Sequence, residues 1–428
     1  MNHGTRLNTT RRWLILVAIA LLSCRADDRA EVPGGRAGLR GDLQALVDEG
    51  AMPGAVAFIA DRDAVIEKVV VGYRDLAESK PMTEDTIFRL YSMSKPITSV
   101  AVMMLVEDGA LTLDQPADEI LPEFRDMRVY ESGTLDDMVT VPADRPITVR
   151  DLLTHTSGIT YHFTGTTPVH QYYRKYGVLR DTPVGRTPAD GEPAHSLEEL
   201  VARIGKAPML HQPGAEFAYS YSTTVLGAVI ERVSGKRLDV FLQERVFNPL
   251  GMADTGFFIE DNDLDRFVTN YMMTDSGLQE IESPEDSDYR DHGRLLDGGG
   301  AIAGTARDYL RFVGMLANGG ELDGNRLLSG ETVKELFRPH ARIKGLGPEI
   351  DFGFGFAIGD DSTAEANMMP EGTVGWSGSG NTFFWLWPES GKAVVFMTQV
   401  ITPPEFYEAS QRFRVVVNDV VNELLADT

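Results

Sequence analysis

The stretch from Phe88 to Leu111, FRLYSMSKPITSVAVMMLVEDGAL, places Ser92 and Lys95 at the head of a long apolar segment. Val100, Met103, Met104 and Leu111 recur at spacings that fit one helical face, and Gly109 supplies a stop, so the segment reads as a buried helix. Ser92 falls in its first turn. Residues three apart on a helix share a face, which sets the Lys95 ammonium beside the Ser92 hydroxyl. Pro96 is tolerated there because first-turn amide hydrogens have no intrahelical partner to lose. A serine hydroxyl is a poor nucleophile until a base takes its proton. A free lysine titrates near ~10.4 and can be that base only if burial or a nearby cation lowers the value, or if a partner relays the proton. The helix N-terminus adds amides and partial positive charge where an oxyanion would develop. Ser-x-x-Lys is nevertheless short: a chain this long holds about one or two by chance. The same residues also describe a capping serine followed by a solvated lysine.

The 428 residues leave room for two or three average domains, or for one α/β enzyme built of two subdomains. Hydrophobic residues at 43%, without low-complexity runs, describe a globular chain with a large core. A formal net charge of −24, with no Lys/Arg cluster to offset it, repels phosphate backbones and argues against a nucleic-acid partner. At the N-terminus, Arg6, Arg11 and Arg12 precede the apolar run Trp13 to Leu22, which is short for a membrane span and suits a signal-peptide core. Leu21-Leu22-Ser23-Cys24 resembles a bacterial lipobox, so we expect an exported, periplasmic lipoprotein attached to the membrane through Cys24. Thr10 to Ile15 also resembles a twin-arginine signal, which leaves the export route open. Cys24 is the sole cysteine, so no internal disulfide can form. The expected division is a signal peptide over 1–24, a polar tether over 25–40 and a single hydrolase domain over 41–428.

Leu43 to Gly50 predicts a short helix, and Ala55 to Ala60 and Ala64 to Val71 predict two strands of a hairpin. Pro116 and Pro122 make Asp114 to Phe124 irregular. Ile147 to Gly158 joins a short helix to a glycine stop. His155 and Ser157 within it have no recognisable third partner, so they read as turn-shaping hydrogen bonds. Tyr161 to His195, rich in aromatics, reads as a long loop that walls a site or simply covers the surface. Helices are expected over Leu197 to Ile204, Val225 to Val233, Leu238 to Val246, Ala306 to Leu316 and Phe406 to Leu425. Phe352 to Ile358, Thr382 to Trp387 and Ala393 to Val400 are β-like. Strands at both ends with helices between them predict an antiparallel sheet built from both termini, carrying an inserted helical subdomain.

With Ser92-x-x-Lys95, Tyr219-Ser220 and Gly375-Trp376-Ser377-Gly378-Ser379-Gly380 in place, the chain resembles the serine β-lactamase and penicillin-binding-protein superfamily. Within it, the likeness is to the class C branch with its esterases and D-aminopeptidases. Leu152 to Gly158, Tyr219 to Glu231, and Gly298-Gly299-Gly300 before the Tyr309 helix extend the likeness from Pro53 to Gln399. The resemblance implies an α/β (α+β) fold of β-lactamase/transpeptidase type and an acyl-enzyme mechanism. Ser92 is then the nucleophile, Lys95 its activating partner and Tyr219 the proton relay. The amides of Ser92 and Ser379 match the oxyanion hole, and Trp376, Ser377, Gly378 and Tyr221 face the substrate. Tyr221 is also a rival for the Tyr219 role, although the spacing to Leu226-Gly227 favours Tyr219. Which of Lys95 and Tyr219 is the base stays open, since their titrations would be coupled. No cofactor or metal is implied.

Two departures matter. Lactamases and peptidases of this superfamily usually carry Asn where this chain has Tyr221, and Lys or His where it has Trp376. Both losses remove polarity that holds an amide side chain or a carboxylate, so the cleft suits uncharged acyl esters, as in family VIII carboxylesterases. Trp376 as a plain core residue of its strand is the competing reading. The alternatives within the fold are a D-stereospecific peptidase or weak β-lactamase, and outside catalysis a lipid-anchored penicillin-binding sensor. An α/β-hydrolase is rejected because Gly375 to Ser379 lacks the closing glycine of Gly-x-Ser-x-Gly. The eight histidines include no His-x-x-x-His pair of the zincin type. The partner is therefore a small-molecule ester or amide, and the sequence does not fix the oligomeric state.

Overall fold

The computed structural model describes residues 38–62, 64–180, 190–345 and 347–426. The expected signal peptide, Cys24 and most of the tether lie outside them. Helix α1, Gly38–Asp48, buries Leu39, Leu43 and Leu46, so the domain takes in the last residues assigned to the tether.

Nine strands form the central sheet. In chain order they are β1 (Gly54–Ala60), β2 (Val65–Asp75), β3 (Lys80–Pro81), β4 (Ala341–Ile343), β5 (Ile350–Phe352), β6 (Ala357–Ile358), β7 (Val374–Gly378), β8 (Thr382–Leu386) and β9 (Ala393–Met397). Their spatial order is β4-β5-β6-β7-β8-β9-β1-β2-β3, antiparallel throughout, so the sheet is assembled from both ends of the chain as expected. Strand β1, GAVAFIA, is buried at every position because both sheet faces are covered. Successive residues of β8 show how: Phe383 stacks on Phe396, which meets Phe413, whereas Phe384 meets Tyr309. Phe413 belongs to the C-terminal helix and Tyr309 to the helix Ala306–Ala317, so one face carries each.

Between β3 and β4 runs the helical part. Helix α2, Ser94–Glu107, is buried from Ser94 to Leu105 and ends just before Gly109. It packs on the helix Ser222–Ser234, which also meets Val149–Leu153 and Leu197–Ile204. Helix α2 is buried on every side, with Ile97 fully enclosed; Ile97→Ala there should cost about 2–5 kcal/mol.

Several expectations need correction. Ser92 is not in the first turn of α2: it lies in a 3-10 turn, Tyr91–Met93, that leads into it. The chain enters that turn through Tyr91 at φ 47°, a left-handed conformation that offsets the turn from the helix. The segment Tyr161 to His195 is not all loop, since Pro168–Lys175 is a helix with Val169, His170 and Tyr173 buried. The hairpins Arg128–Ser132/Val139–Pro142 and Asn270–Thr274/Gly277–Glu282 were not expected. Among the described residues, no helix is long and apolar enough to cross a membrane.

Candidate active site

Ser92 is held between Lys95, three residues on, and Tyr219, far from it in sequence. The Tyr219 hydroxyl donates to Ser92 Oγ at 2.7 Å, and Lys95 Nζ lies 3.2 Å from the same oxygen. Lys95 donates its shorter bond, 2.6 Å, to the Gly299 carbonyl. Its amine also stands 4.7 Å from the centre of the Tyr219 ring. The three predicted catalytic side chains are thus brought together, with Gly299 as a fourth participant that the motif alone does not reveal.

Burial decides their protonation. Lys95 is 1% exposed, and loss of hydration lowers its pKa to about 7; Asp297 opposes that shift and Arg180 adds to it. Tyr219, also buried, has its pKa pushed up by desolvation, partly offset by the bond to Ser92. At neutral pH the site therefore offers a readily deprotonated amine and a protonated phenol. Tyr221, the rival tyrosine, shares a 2.9 Å hydrogen bond with His162 Nδ1 instead.

The aromatic face behind the site is continuous. His155 packs 5.1 Å from Tyr219 and bonds Ser220 Oγ through Nδ1 at 3.0 Å, while Ser157 bonds Ser222 at 2.8 Å. Both shape the turn, as their sequence context indicates. Trp376, 5% exposed, sits 5.8 Å from Tyr219 and 5.3 Å from Phe352. It lies in the layer supporting Tyr219, so its burial gives weight to the core reading.

Strand β7 brings the third motif to the nucleophile. Gly378 pairs with Thr382, and a β-carbon at Gly378 would lie 2.3 Å from the Leu90 carbonyl oxygen. Only a bare backbone lets the strand approach the Ser92 turn this closely. Ser379, the next residue, is partly exposed and borders the same cavity of about 50 Å³ as Ser92. Tyr161, Phe163, Arg180 and Tyr221 complete much of its wall. Ser377 and Gly378 are partly exposed beside it. Sequence reasoning missed Arg180 and Asp297, which form an ion pair at 3.2 Å. The one available signal was the aspartate directly before three glycines. Among the described residues, no group of three or more His, Cys, Asp or Glu is placed to hold a metal ion.

Comparison with known proteins identifies the family. The Beta-lactamase family model matches residues 39–418. Protein Rv1367c of Mycobacterium tuberculosis is 32% identical over 384 residues, covering 85% of this chain and 89% of its own. Esterase EstB of Burkholderia gladioli is 32% identical over 371 residues, covering 80% of this chain and 86% of its own. Among solved structures, EstCE1, described as a hydrolase with promiscuous acyltransferase activity, superposes with a TM-score of 0.71 at 30% identity, covering 88% of this chain and 97% of its own. The family match over most of the chain, the likeness to EstB and the fold shared with EstCE1 make this chain a serine hydrolase of the beta-lactamase family, on its esterase-related side.

Proposed function

We propose that the protein is a carboxylesterase that cleaves small, uncharged acyl esters through an acyl-enzyme on Ser92. The observation that carries this reading is the placement of Ser92 Oγ between the Tyr219 hydroxyl and the Lys95 amine. Neutral Lys95 accepts the Ser92 proton as Oγ attacks the ester carbon, while the Tyr219 O–H steadies the developing charge on Oγ. The carbonyl oxygen becomes an oxyanion facing the amides of Ser92 and Ser379. As the C–O bond breaks, Tyr219 gives its proton to the leaving alkoxide, and the Lys95 ammonium restores the phenol. Water then attacks the acyl-enzyme by the reverse proton route, releasing the acid and Ser92. Tyr221 lines the cavity in place of an amide, and position 376 offers no cation for a carboxylate, which supports an ester over a carboxylate-bearing lactam. Similarity to EstB, named an esterase, supports the same class.

Intact-mass analysis after exposure to a fluorophosphonate and to a penicillin, alongside p-nitrophenyl butyrate turnover, tests this reading. A Ser92 adduct with fast ester turnover and little penicillin adduct is expected, and Ser92→Ala should abolish labelling. Labelling at another serine would overturn it; a long-lived penicillin adduct without ester turnover would favour the sensor or peptidase. We further propose export and lipid anchoring at Cys24, for which Cys24→Ala should move the protein from the membrane to the soluble fraction. Unchanged membrane association would remove that proposal.

A further inference from the structure

The carbonyl that holds the Lys95 amine belongs to a glycine turn built around a buried carboxylate. Asp297 Oδ1 accepts from the Gly299 amide at 2.7 Å and from Thr224 Oγ1 at 2.6 Å. Its own carbonyl accepts from the amides of Gly300 and Ala301. From the other side, Thr98 Oγ1, one turn beyond Lys95 on α2, donates to the Gly298 carbonyl at 2.7 Å. The turn is therefore fixed at both ends, with the Gly299 carbonyl aimed at Lys95 Nζ.

Arg180 completes the arrangement. Its Nη1 lies 3.2 Å from Asp297 Oδ2, and their side chains are 19% and 2% exposed. A β-carbon on Gly299 would come within 3.0 Å of Asp297 Oδ1, and one on Gly300 within 3.2 Å of Arg180 Nη2. The triple glycine thus admits the ion pair against its backbone. The groups facing Lys95 are the phenols of Tyr219 and Tyr161, the imidazole of His155, and this pair. The phenols of Tyr161, Tyr221 and Tyr289 also face Arg180. A buried carboxylate without a cation would favour the lysine ammonium and withhold the base from Ser92.

We propose that Asp297 and Arg180 are a positioning pair for the Lys95 base: the carboxylate sets the Gly299 carbonyl that holds the amine beside Ser92, and the guanidinium cancels the carboxylate's charge. The inference rests on the reading of Ser92 as nucleophile and Lys95 as its base. It gives the two residues opposite effects on the pH at which the enzyme switches on, which a merely structural ion pair would not.

The experiment is the pH profile of kcat/KM for p-nitrophenyl butyrate in the full chain. Arg180→Gln should move the acid limb upward by about one pH unit, a roughly tenfold loss on the limb. Arg180→Lys should restore the limb. Asp297→Asn, which keeps the acceptor for Gly299 and Thr224, should move it downward and lower the plateau; the Arg180→Gln/Asp297→Asn double variant should return it toward its original position. An unmoved limb with a uniform loss of rate would overturn the proposal. Asp297→Asn, nearly isosteric, carries the test alone if Arg180→Gln does not fold. Fluorophosphonate labelling separates the two levels: no adduct at Ser92 removes the underlying mechanism, whereas a Ser92 adduct with an unmoved limb removes only the pair.

Discussion

The Tyr219 hydroxyl stands closer to Ser92 Oγ, at 2.7 Å, than the Lys95 amine does, at 3.2 Å. This order fits a division of labour in which the phenol touches the reacting oxygen throughout and the lysine sets the proton balance. Tyr219→Phe should therefore lower kcat/KM for acylation by ~10²-fold or more, the usual weight of a general acid–base group. The ring keeps its packing against His155 and Trp376, so the melting temperature should change little. Pre-steady-state acylation with a p-nitrophenyl ester measures the effect, and a near-normal rate would leave Lys95 to act alone.

Lys95 links activity to stability. Burial lowers its pKa from 10.5 to about 7 in the folded protein. Between those values the unfolded chain carries a proton there that the folded chain lacks, so this group makes the fold more stable as pH rises through the window. At pH 7 and below, burying the amine is a cost. Lys95→Met should abolish acylation yet raise the melting temperature at neutral pH, with the advantage over wild type shrinking toward alkaline pH. Thermal melts across mildly acidic to mildly alkaline pH check the trend; a constant difference would remove the assigned titration.

Ser92 and Lys95 were legible as a pair at a helix start ahead of an apolar periodic run, whereas Tyr219, three residues before the helix Ser222–Ser234, was singled out only through the family resemblance. The sheet was legible for a similar reason: β1, β8 and β9 are buried at every position and read as short apolar runs between turn residues. Tyr91 was not, since a tyrosine carries no sign that it will adopt φ 47°. The strand Arg128–Ser132 exposes three of its five residues and has no apolar run to find. Arg180 and Asp297 join only through tertiary folding, and no local spacing relates them.

Gly378 tests whether close approach of β7 sets the oxyanion site. In Gly378→Ala the new methyl would meet the Leu90 carbonyl at 2.3 Å and Thr382 Oγ1 at 2.5 Å, forcing the strand away from the Ser92 turn. Ser379 moves with it. A displacement on the order of 1 Å can cost ~10²-fold in rate, so kcat should fall by about that factor while the protein still folds. Steady-state turnover with circular dichroism checks it, and full activity would show that the strand can yield without moving the site.

His155 separates a structural from a catalytic histidine. It holds φ 55°, a left-handed conformation that histidine and asparagine adopt more readily than most residues. Its ring supports Tyr219, and burial, with Lys95 nearby, keeps its pKa well below the usual histidine range, so it stays neutral wherever the enzyme works. His155→Ala should destabilise the fold by about 1–3 kcal/mol, through lost ring contacts and a strained backbone. His155→Asn should cost less, because asparagine tolerates the same φ and its amide can reach Ser220. In both variants the rate should fall evenly across pH, leaving the acid limb of kcat/KM where Lys95 puts it. A limb that vanished in His155→Asn would instead make this imidazole the titrating base.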